Sequence, residues 1–264
     1  MHPQLIPGFP IQTFGACIAL GIFLGWSLIE RLSGRKDLGT LIFVSVFAGI
    51  AGARLAHVIE YWQADGFDRN FLAVFQIWNG GLVFYGGFLS AAVTVLLWCR
   101  KTHTNVLSLL NVFSVAMPLA HAFGRIGCFF FGCCWGKVSD SALAVSFPAH
   151  SPAWTAQVQA GRLSVHALRS LPVLPTQLFE SAALLVLFVT LYVLYRRTRA
   201  WTLPVYLFGY GVIRFLLEFL RDDDRPVWGG LSSAQNVSLA LIAAGLIVFV
   251  ICLKKNGQSA SDHR

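Results

Sequence analysis

Long apolar runs dominate this chain and determine its predicted elements. Seven stretches are long enough to cross the hydrocarbon core of a bilayer, which requires about 20 residues of helix. With boundaries soft by a few residues, they cover 11–30, 40–62, 78–98, 107–126, 176–195, 201–219 and 232–253. Glycine pairs at 80–81 and 86–87 interrupt the third run, and Pro118 interrupts the fourth. The pattern predicts an all-α integral membrane protein with about seven transmembrane helices.

The composition excludes an ordinary soluble domain. Hydrophobic residues make up 56% of the chain and charged residues 12%, and the mean hydropathy is +0.66. A soluble domain carries roughly 25% charged residues, about twice as many. No cleavable signal peptide is expected, because no basic region precedes the first apolar run and no clear small-residue cleavage site follows it.

The basic residues are concentrated in alternate loops. Dense clusters lie at 31–36, 100–101, 196–199 and 254–255, which by the positive-inside rule predicts an external N-terminus and a cytoplasmic C-terminus. The net charge of +8 is scattered over these loops, so it indicates topology and attraction to anionic lipid rather than a nucleic-acid-binding face. We expect one membrane domain over 1–264, with a small external cap at 137–174 between spans four and five.

Four arginines lie within or at the ends of apolar runs: Arg54, Arg125, Arg214 and Arg221. A charge at bilayer depth is costly, so such residues commonly mark a functional site. Arg54 and Arg221 could instead extend their charged ends to the membrane interface, an alternative known as snorkelling. Arg125 and Arg214 indicate a site for an anion. Glu218 follows Arg214 by four residues on the same helical face, which predicts an ion pair, and either Glu60 or Glu180 could also partner an arginine.

The segment from His121 to Gly136 combines Arg125 with three cysteines: Cys128, Cys133 and Cys134. Their C-x4-C-C spacing is not the two separated pairs of a structural zinc site, so we predict no metal and no cofactor. Three alternatives remain open for these thiols. They are a disulfide between Cys128 and either Cys133 or Cys134, a reactive thiol at Cys128 beside Arg125, and packing of the cysteines as small residues.

Five blocks of the sequence form a collinear pattern. They are Gly52-Ala-Arg54 with a span ending Tyr61-Trp62; Trp78-Asn-Gly-Gly-Leu-Val-Phe-Tyr-Gly-Gly87; Gly124-Arg-Ile-Gly-Cys-Phe-Phe-Phe-Gly-Cys-Cys-Trp-Gly136; Pro175-Thr-Gln-Leu-Phe-Glu180; and Tyr210-Gly-Val-Ile-Arg214 with Glu218-Phe-Leu-Arg221. In this order they resemble the motifs of the prolipoprotein diacylglyceryl transferases, and the resemblance covers most of the chain.

The departures from that family pattern fall on polar positions. This chain has Tyr85 for a histidine, Cys128 and Phe131 for asparagines, Cys133 for a glutamate, Phe14 for a tyrosine and Asn111 for an aspartate. The arginines are retained, whereas much of the polar and proton-handling set is replaced. The G-C-F-x-x-G-C-C version of the signature therefore resembles a distinct branch of the family.

The resemblance implies a multi-pass enzyme of the bacterial inner membrane. Family members move a diacylglyceryl group from phosphatidylglycerol to the lipobox cysteine of a preprolipoprotein signal peptide, and glycerol phosphate leaves. The implied catalytic residues are Arg125, Arg214, Tyr85 and Tyr210. The implied substrate-binding residues are Arg54, Glu218, Arg221, Gly86, Gly87, Gly124, Gly127, Gly136, Cys128 and Glu180. Tyr85, Glu180 and His121 are candidate acceptors of the thiol proton.

Two other classes of function remain as alternatives at this stage. The three clustered cysteines would also suit a membrane thiol-redox protein or a divergent lipid-modifying protein. A phospholipid-binding protein without chemistry would use the same arginines. Reversible disulfide formation that tracks activity would favour the first alternative, and binding without release of glycerol phosphate would favour the second.

Overall fold

The computed structural model describes residues 13–63, 67, 70–77, 80–223 and 227–261, without the side chains of 84 and 255–261. The helices of these segments are α1 (Thr13–Ser33), α2 (Asp37–Glu60), α3 (Phe84–Lys101), α4 (Val106–Phe131), α5 (Pro152–Gln159), α6 (Thr176–Thr198), α7 (Thr202–Glu218) and α8 (Ser233–Ser261). A 3-10 turn covers Phe71–Phe75. The two-residue strands β1 (Val227–Trp228) and β2 (Leu231–Ser232) pair antiparallel.

The helices confirm the all-α membrane class. In the part of the chain that the structure describes, five helices are long and apolar enough to cross a bilayer: α1, α2, α4, α6 and the Ser233–Lys254 portion of α8. The other two candidates, α3 and α7, have 18 and 17 residues and fall outside this group. The count of seven spans therefore stays a prediction.

Two of the predicted helix interruptions are wrong. Pro118 lies inside α4 and the pair Gly86-Gly87 lies inside α3. A proline is tolerated in a membrane helix because neighbouring groups satisfy the backbone carbonyl that it leaves unpaired. Gly80 and Gly81 do interrupt, because their φ angles of +89° and +75° are left-handed, and α3 begins only at Phe84. In α4 the helix continues past its predicted end at 126 to Phe131.

The chain divides into two compact units, Met1–Leu28 with Leu110–Arg264 and Ile29–Leu109. The expected single membrane domain stays a prediction.

Within the second unit, α2 packs closely on α3. A Cβ atom on Gly86 would lie 2.5 Å from the carbonyl oxygen of Gly52, and one on Gly87 would lie 2.9 Å from that of Gly49. Small residues let membrane helices approach in this way. Gly86 and Gly87, which the resemblance placed in substrate binding, therefore have a packing role.

The 137–174 segment folds around its own small core in the first unit. Phe147, Ala153 and Val173 are fully buried, with Phe129 and Trp135 packed against them. The segment contains α5, which begins after Ser151 because that hydroxyl accepts a hydrogen bond from the backbone N–H of Trp154. The predicted cap is thus a folded element. Its placement outside the membrane stays a prediction.

Asn111 joins α4 to the start of α7. Its Oδ1 accepts a hydrogen bond from the backbone N–H of Leu203 at 2.9 Å, and its backbone carbonyl accepts one from the hydroxyl of Thr202 at 2.7 Å. The Asn111 side chain is buried. A side-chain oxygen at this place satisfies one of the otherwise unpaired N–H groups in the first turn of α7.

We expect Asn111→Ala to lower the thermal midpoint of the purified protein in detergent, because the change removes an acceptor worth about 0.5–2 kcal/mol. Asn111→Asp is the matched control. A carboxylate still accepts the hydrogen bond from the Leu203 N–H and is favoured at a helix N-terminus, so this variant should lose less. Equal losses in both variants would contradict the capping role.

Candidate active site

Arg125 forms a buried ion pair with Glu180. Its Nη2 lies 3.0 Å from Glu180 Oε1, and the two side chains are 15% and 2% exposed. Arg125 lies near the end of α4 and Glu180 in the second turn of α6. The predicted pairing of Glu180 with an arginine is confirmed. The pair fixes one guanidinium group in a poorly solvated place, where electrostatic interactions are strong.

Arg214 forms a second buried pair, with Glu218 one turn later on α7. Its Nη2 lies 2.7 Å from Glu218 Oε2, and both side chains are less than one-tenth exposed. The pairing predicted from the i, i+4 spacing is confirmed. Each buried guanidinium group therefore has its own carboxylate as a counter-charge.

The two pairs converge around His121 and Tyr210. These two rings are 5.3 Å apart, and His121 Nε2 lies 3.8 Å from Glu180 Oε1. Each ring lies within electrostatic range of both Arg125 and Arg214. The hydroxyl of Tyr210 is also close enough to Arg125 for a hydrogen bond. The structure therefore brings together two arginines that are about 90 positions apart in sequence.

Both arginines keep a donor that no protein acceptor uses. Among the described residues, Arg125 Nε and Arg214 Nη1 are buried and have no hydrogen-bond partner. Most buried polar groups in native proteins are hydrogen-bonded, so such an exception needs an explanation. Donors on guanidinium groups suit the oxygens of a phosphate, which accept charge-assisted hydrogen bonds. These two nitrogens are therefore candidate donors to an anionic group.

Three side chains at the start of α6 donate hydrogen bonds to backbone carbonyls of the segment from His121 to Gly136. Thr176 Oγ1 donates to the carbonyl of Cys134 at 2.8 Å, and Gln177 Nε2 donates to that of Cys133 at 2.6 Å. Ser181 Oγ donates to a carbonyl of α4 at 3.1 Å. The sequence motifs do not predict roles for these three side chains. Their signal was the run of polar positions on one face of an otherwise apolar helix.

The glycines of the signature have different surroundings. A Cβ atom on Gly136 would lie 2.7 Å from the carbonyl oxygen of Leu220 and 2.8 Å from that of Leu174, so only glycine lets these three backbone segments meet. Gly127 packs α4 on α1, where a Cβ atom would lie 3.1 Å from the ring of Phe14. The described atoms leave open space beside Gly124. Gly136 and Gly127 therefore act in packing.

Arg221 lies just beyond α7 and is 8% exposed, so it does not snorkel. Its Nε and Nη2 donate to the two carboxylate oxygens of Asp223 at 2.8 Å each. Its guanidinium is also close enough to the thiol of Cys134 for a hydrogen bond. Arg221 therefore connects the end of α7 to the cysteine segment rather than to solvent.

Arg54 and Tyr85 belong to the second unit. Arg54 is 8% exposed and donates hydrogen bonds at 2.6–3.0 Å to the carbonyls of Ala73, Val74, Gly80 and Gly81. Arg54 thus holds the connection between α2 and α3, which argues for a positioning role. Tyr85 lies in the first turn of α3 and is 62% exposed. Trp78 of the same sequence block lies outside the described residues.

The three signature cysteines come together. The Sγ atoms of Cys128, Cys133 and Cys134 all lie within 4.8 Å of one another, and each residue is partly exposed. All of the cysteines are free thiols in the structure. Hydrogen bonding with Cys128 and then Cys133 lowers the pKa of the Cys134 thiol, and the positive charge of Arg221 acts in the same direction. The disulfide proposed from spacing is therefore not formed here.

These features define a multi-pass helical membrane protein with two buried arginine–glutamate pairs. The chain belongs to the prolipoprotein diacylglyceryl transferase family, whose family model matches residues 3–251. It is 31% identical over 251 residues to "Phosphatidylglycerol--prolipoprotein diacylglyceryl transferase 2" of Clostridium perfringens, covering 92% of each chain. It is 34% identical over 276 residues to a Dechloromonas aromatica protein called "Phosphatidylglycerol--prolipoprotein diacylglyceryl transferase", covering 97% of this chain and 98% of the relative. A Xanthomonas oryzae pv. oryzae protein of the same name is 32% identical over 260 residues, with 91% and 87% coverage.

Proposed function

We propose that this protein transfers the diacylglyceryl group of phosphatidylglycerol to the lipobox cysteine of a preprolipoprotein and releases glycerol phosphate. The observation that carries this proposal is the pair of buried arginines with unused donors, on two helices of a transferase-family chain. The names of the relatives favour a transferase over the thiol-redox and lipid-binding alternatives.

The arginines would act on the leaving group. The reaction breaks a carbon–oxygen bond beside the phosphorus, so negative charge grows on the departing glycerol phosphate. Arg125 Nε and Arg214 Nη1 would donate to the phosphate oxygens, and the two paired carboxylates would keep the guanidinium groups oriented. Charge fixed in advance in a poorly solvated site stabilises a transition state more than the same charge in water.

The acceptor must arrive as a thiolate, because the thiolate is the nucleophile. Glu180 is a weak candidate base since its carboxylate is committed to Arg125. His121 Nε2 lies 3.8 Å from Glu180 Oε1, within electrostatic range of both arginines. Tyr85 is a phenol, which is a slow base at neutral pH. None of these three side chains is therefore well suited to remove the proton of the acceptor thiol.

The proposed setting is the bacterial inner membrane, with the N-terminus outside and the C-terminus in the cytoplasm. The basic loops support this orientation. Both substrates are anchored in the membrane, so we expect them to enter sideways between helices. The 137–174 segment would then lie on the outer surface, where lipobox cysteines are presented.

Complementation tests the proposal. In bacteria depleted of their own transferase, expression of this protein should restore maturation of lipoproteins, which is seen as a mass increase of one diacylglyceryl group. Replacing the lipobox cysteine of a reporter lipoprotein by serine should abolish the mass increase. If the protein inserts correctly and the reporter stays unmodified, it is not a transferase for this class of acceptor.

A further inference from the structure

We propose that Cys128, Cys133 and Cys134 bind one zinc ion, whose open fourth position takes the acceptor thiol and holds it as a thiolate. This inference rests on the transferase function proposed above. The sequence spacing argued against a structural zinc site, and the fold now supplies three converging thiols that spacing did not reveal.

The arrangement of the sulfurs suits zinc. With Zn–S bonds of about 2.3 Å, tetrahedral geometry places two sulfurs about 3.8 Å apart. The three Sγ atoms already lie within 4.8 Å of one another. Small inward movements, within reach of side-chain rotation, would therefore close them around an ion. Thiolates are also the ligands that zinc and other soft metals prefer.

The site has only three protein ligands. Among the residues that the structure describes, no further His, Cys, Asp or Glu joins the three thiols. Structural zinc sites are closed by four protein ligands, whereas catalytic sites keep one position for water or substrate. Each of the three cysteines is partly exposed, which leaves room for a ligand from outside.

The backbone around the cysteines is held in an unusual conformation. Cys134 has a φ of +63°, which is uncommon for a residue other than glycine. Its carbonyl and that of Cys133 are both fixed by side chains of α6, namely Thr176 and Gln177. Strain retained by such contacts is commonly found at functional sites. Here it lets two adjacent residues direct their thiols to one point.

The charges around the cluster complement a metal–thiolate complex. Three thiolates and one Zn²⁺ carry a net charge of −1, and a bound acceptor thiolate makes it −2. Arg221 lies against Cys134, and Arg125 is within electrostatic range of Cys134 and Cys128. Cationic neighbours of this kind stabilise an anionic complex without occupying its ligand positions.

The position of the cluster fits the proposed reaction. Cys128 follows Arg125 by three residues on α4, so the two side chains share one helix face. A thiol bound to zinc loses its proton outright. The acceptor thiol would release its proton to water on binding, and its sulfur would then attack the glyceryl carbon. One carbon–sulfur bond forms, one carbon–oxygen bond breaks, and glycerol phosphate leaves with the electron pair.

Metal binding is the first test. The reduced full-length protein in detergent should bind one zinc per chain by elemental analysis after desalting. Cys128→Ser should weaken zinc binding at least about tenfold, since even loss of an outer-sphere contact costs that much. Cys99→Ser is the matched control, because Cys99 is a buried thiol of α3 outside the cluster. Failure of the reduced protein to bind zinc, or equal binding by Cys128→Ser, would overturn the proposal.

Coordination of the acceptor is the second test, and it does not depend on turnover. In the cobalt-substituted protein, a lipobox peptide with its cysteine should change the thiolate-to-cobalt charge-transfer absorption. The same peptide with serine should leave the spectrum unchanged. Identical spectra with both peptides would overturn the role in acceptor binding.

Removing zinc from the wild-type protein with a chelator tests the zinc site separately from the transferase function. It also needs no variant that could misfold. If the zinc-free wild-type protein keeps full transferase activity, zinc has no part in the reaction, although the transferase assignment stands. If zinc and the peptide thiol bind but no diacylglyceryl group is transferred, the zinc site stands and the proposed function is wrong.

Discussion

Arg125→Ala is expected to lower the turnover of diacylglyceryl transfer by about 10²–10³-fold, the loss typical for removal of one group that stabilises developing negative charge. Two consequences of the change act together. The phosphate loses the donor that Arg125 Nε offers, and Glu180 is left as a buried carboxylate without its cation. Transfer to a lipobox peptide, followed by mass spectrometry, measures the effect.

Two further variants sharpen that experiment. Arg125→Lys keeps the charge but not the planar fork, so its activity should lie between those of the wild type and the alanine variant. Arg196→Ala removes an exposed arginine at the end of α6 and should leave turnover unchanged. If Arg125→Ala and Arg196→Ala have equal activity, Arg125 does not contact the leaving phosphate.

Glu218→Ala is expected to destabilise the protein by about 3–5 kcal/mol, because it leaves the buried guanidinium of Arg214 without a counter-charge. Arg214 and Glu218 are 8% and 7% exposed, so solvent cannot replace the lost partner. The double variant Arg214→Ala/Glu218→Ala removes both charges and should recover much of the lost thermal stability. Its turnover should fall by about 10²–10³-fold, as for Arg125→Ala, since one of the two phosphate donors is gone. Thermal unfolding and turnover, measured on the same samples, separate the two effects.

The exposed pair between Arg162 and Asp222 is the matched control for this experiment. Its atoms lie 2.9 Å apart, but the side chains are 55% and 30% exposed. Because surface pairs contribute at most about 1 kcal/mol, Asp222→Ala should barely change the thermal midpoint. If the double variant stays as unstable as Glu218→Ala, or keeps activity, the account of Arg214 as a buried phosphate donor fails.

The sequence predicted the helices and the Arg214–Glu218 ion pair because both depend on local spacing. Apolar runs of bilayer length and the interval between Arg214 and Glu218 are visible in the chain itself. The sequence pattern wrongly predicted that Pro118 interrupts its helix. A helix tolerates proline when contacts elsewhere satisfy the freed backbone groups. Such contacts are not visible in a local pattern.

The sequence could not predict which residues act through tertiary contacts. Arg54 looked like a substrate ligand, but the structure engages its donors with the backbone of the 71–81 connection. The three thiols converge where the backbone at Cys134 is left-handed, and no sequence pattern predicts that conformation. The same holds for Asn111, whose partner helix begins about 90 positions later in the chain.

The central claim is that this family member performs diacylglyceryl transfer at the Arg125–Arg214 site, and reconstitution tests it most directly. Purified protein should be mixed with phosphatidylglycerol vesicles and a lipobox peptide, with a serine version of the peptide as control. The account predicts one glycerol phosphate released for each peptide that gains a diacylglyceryl group, with neither product in the serine control. Folded wild-type protein that leaves the peptide mass unchanged and releases no glycerol phosphate would contradict it.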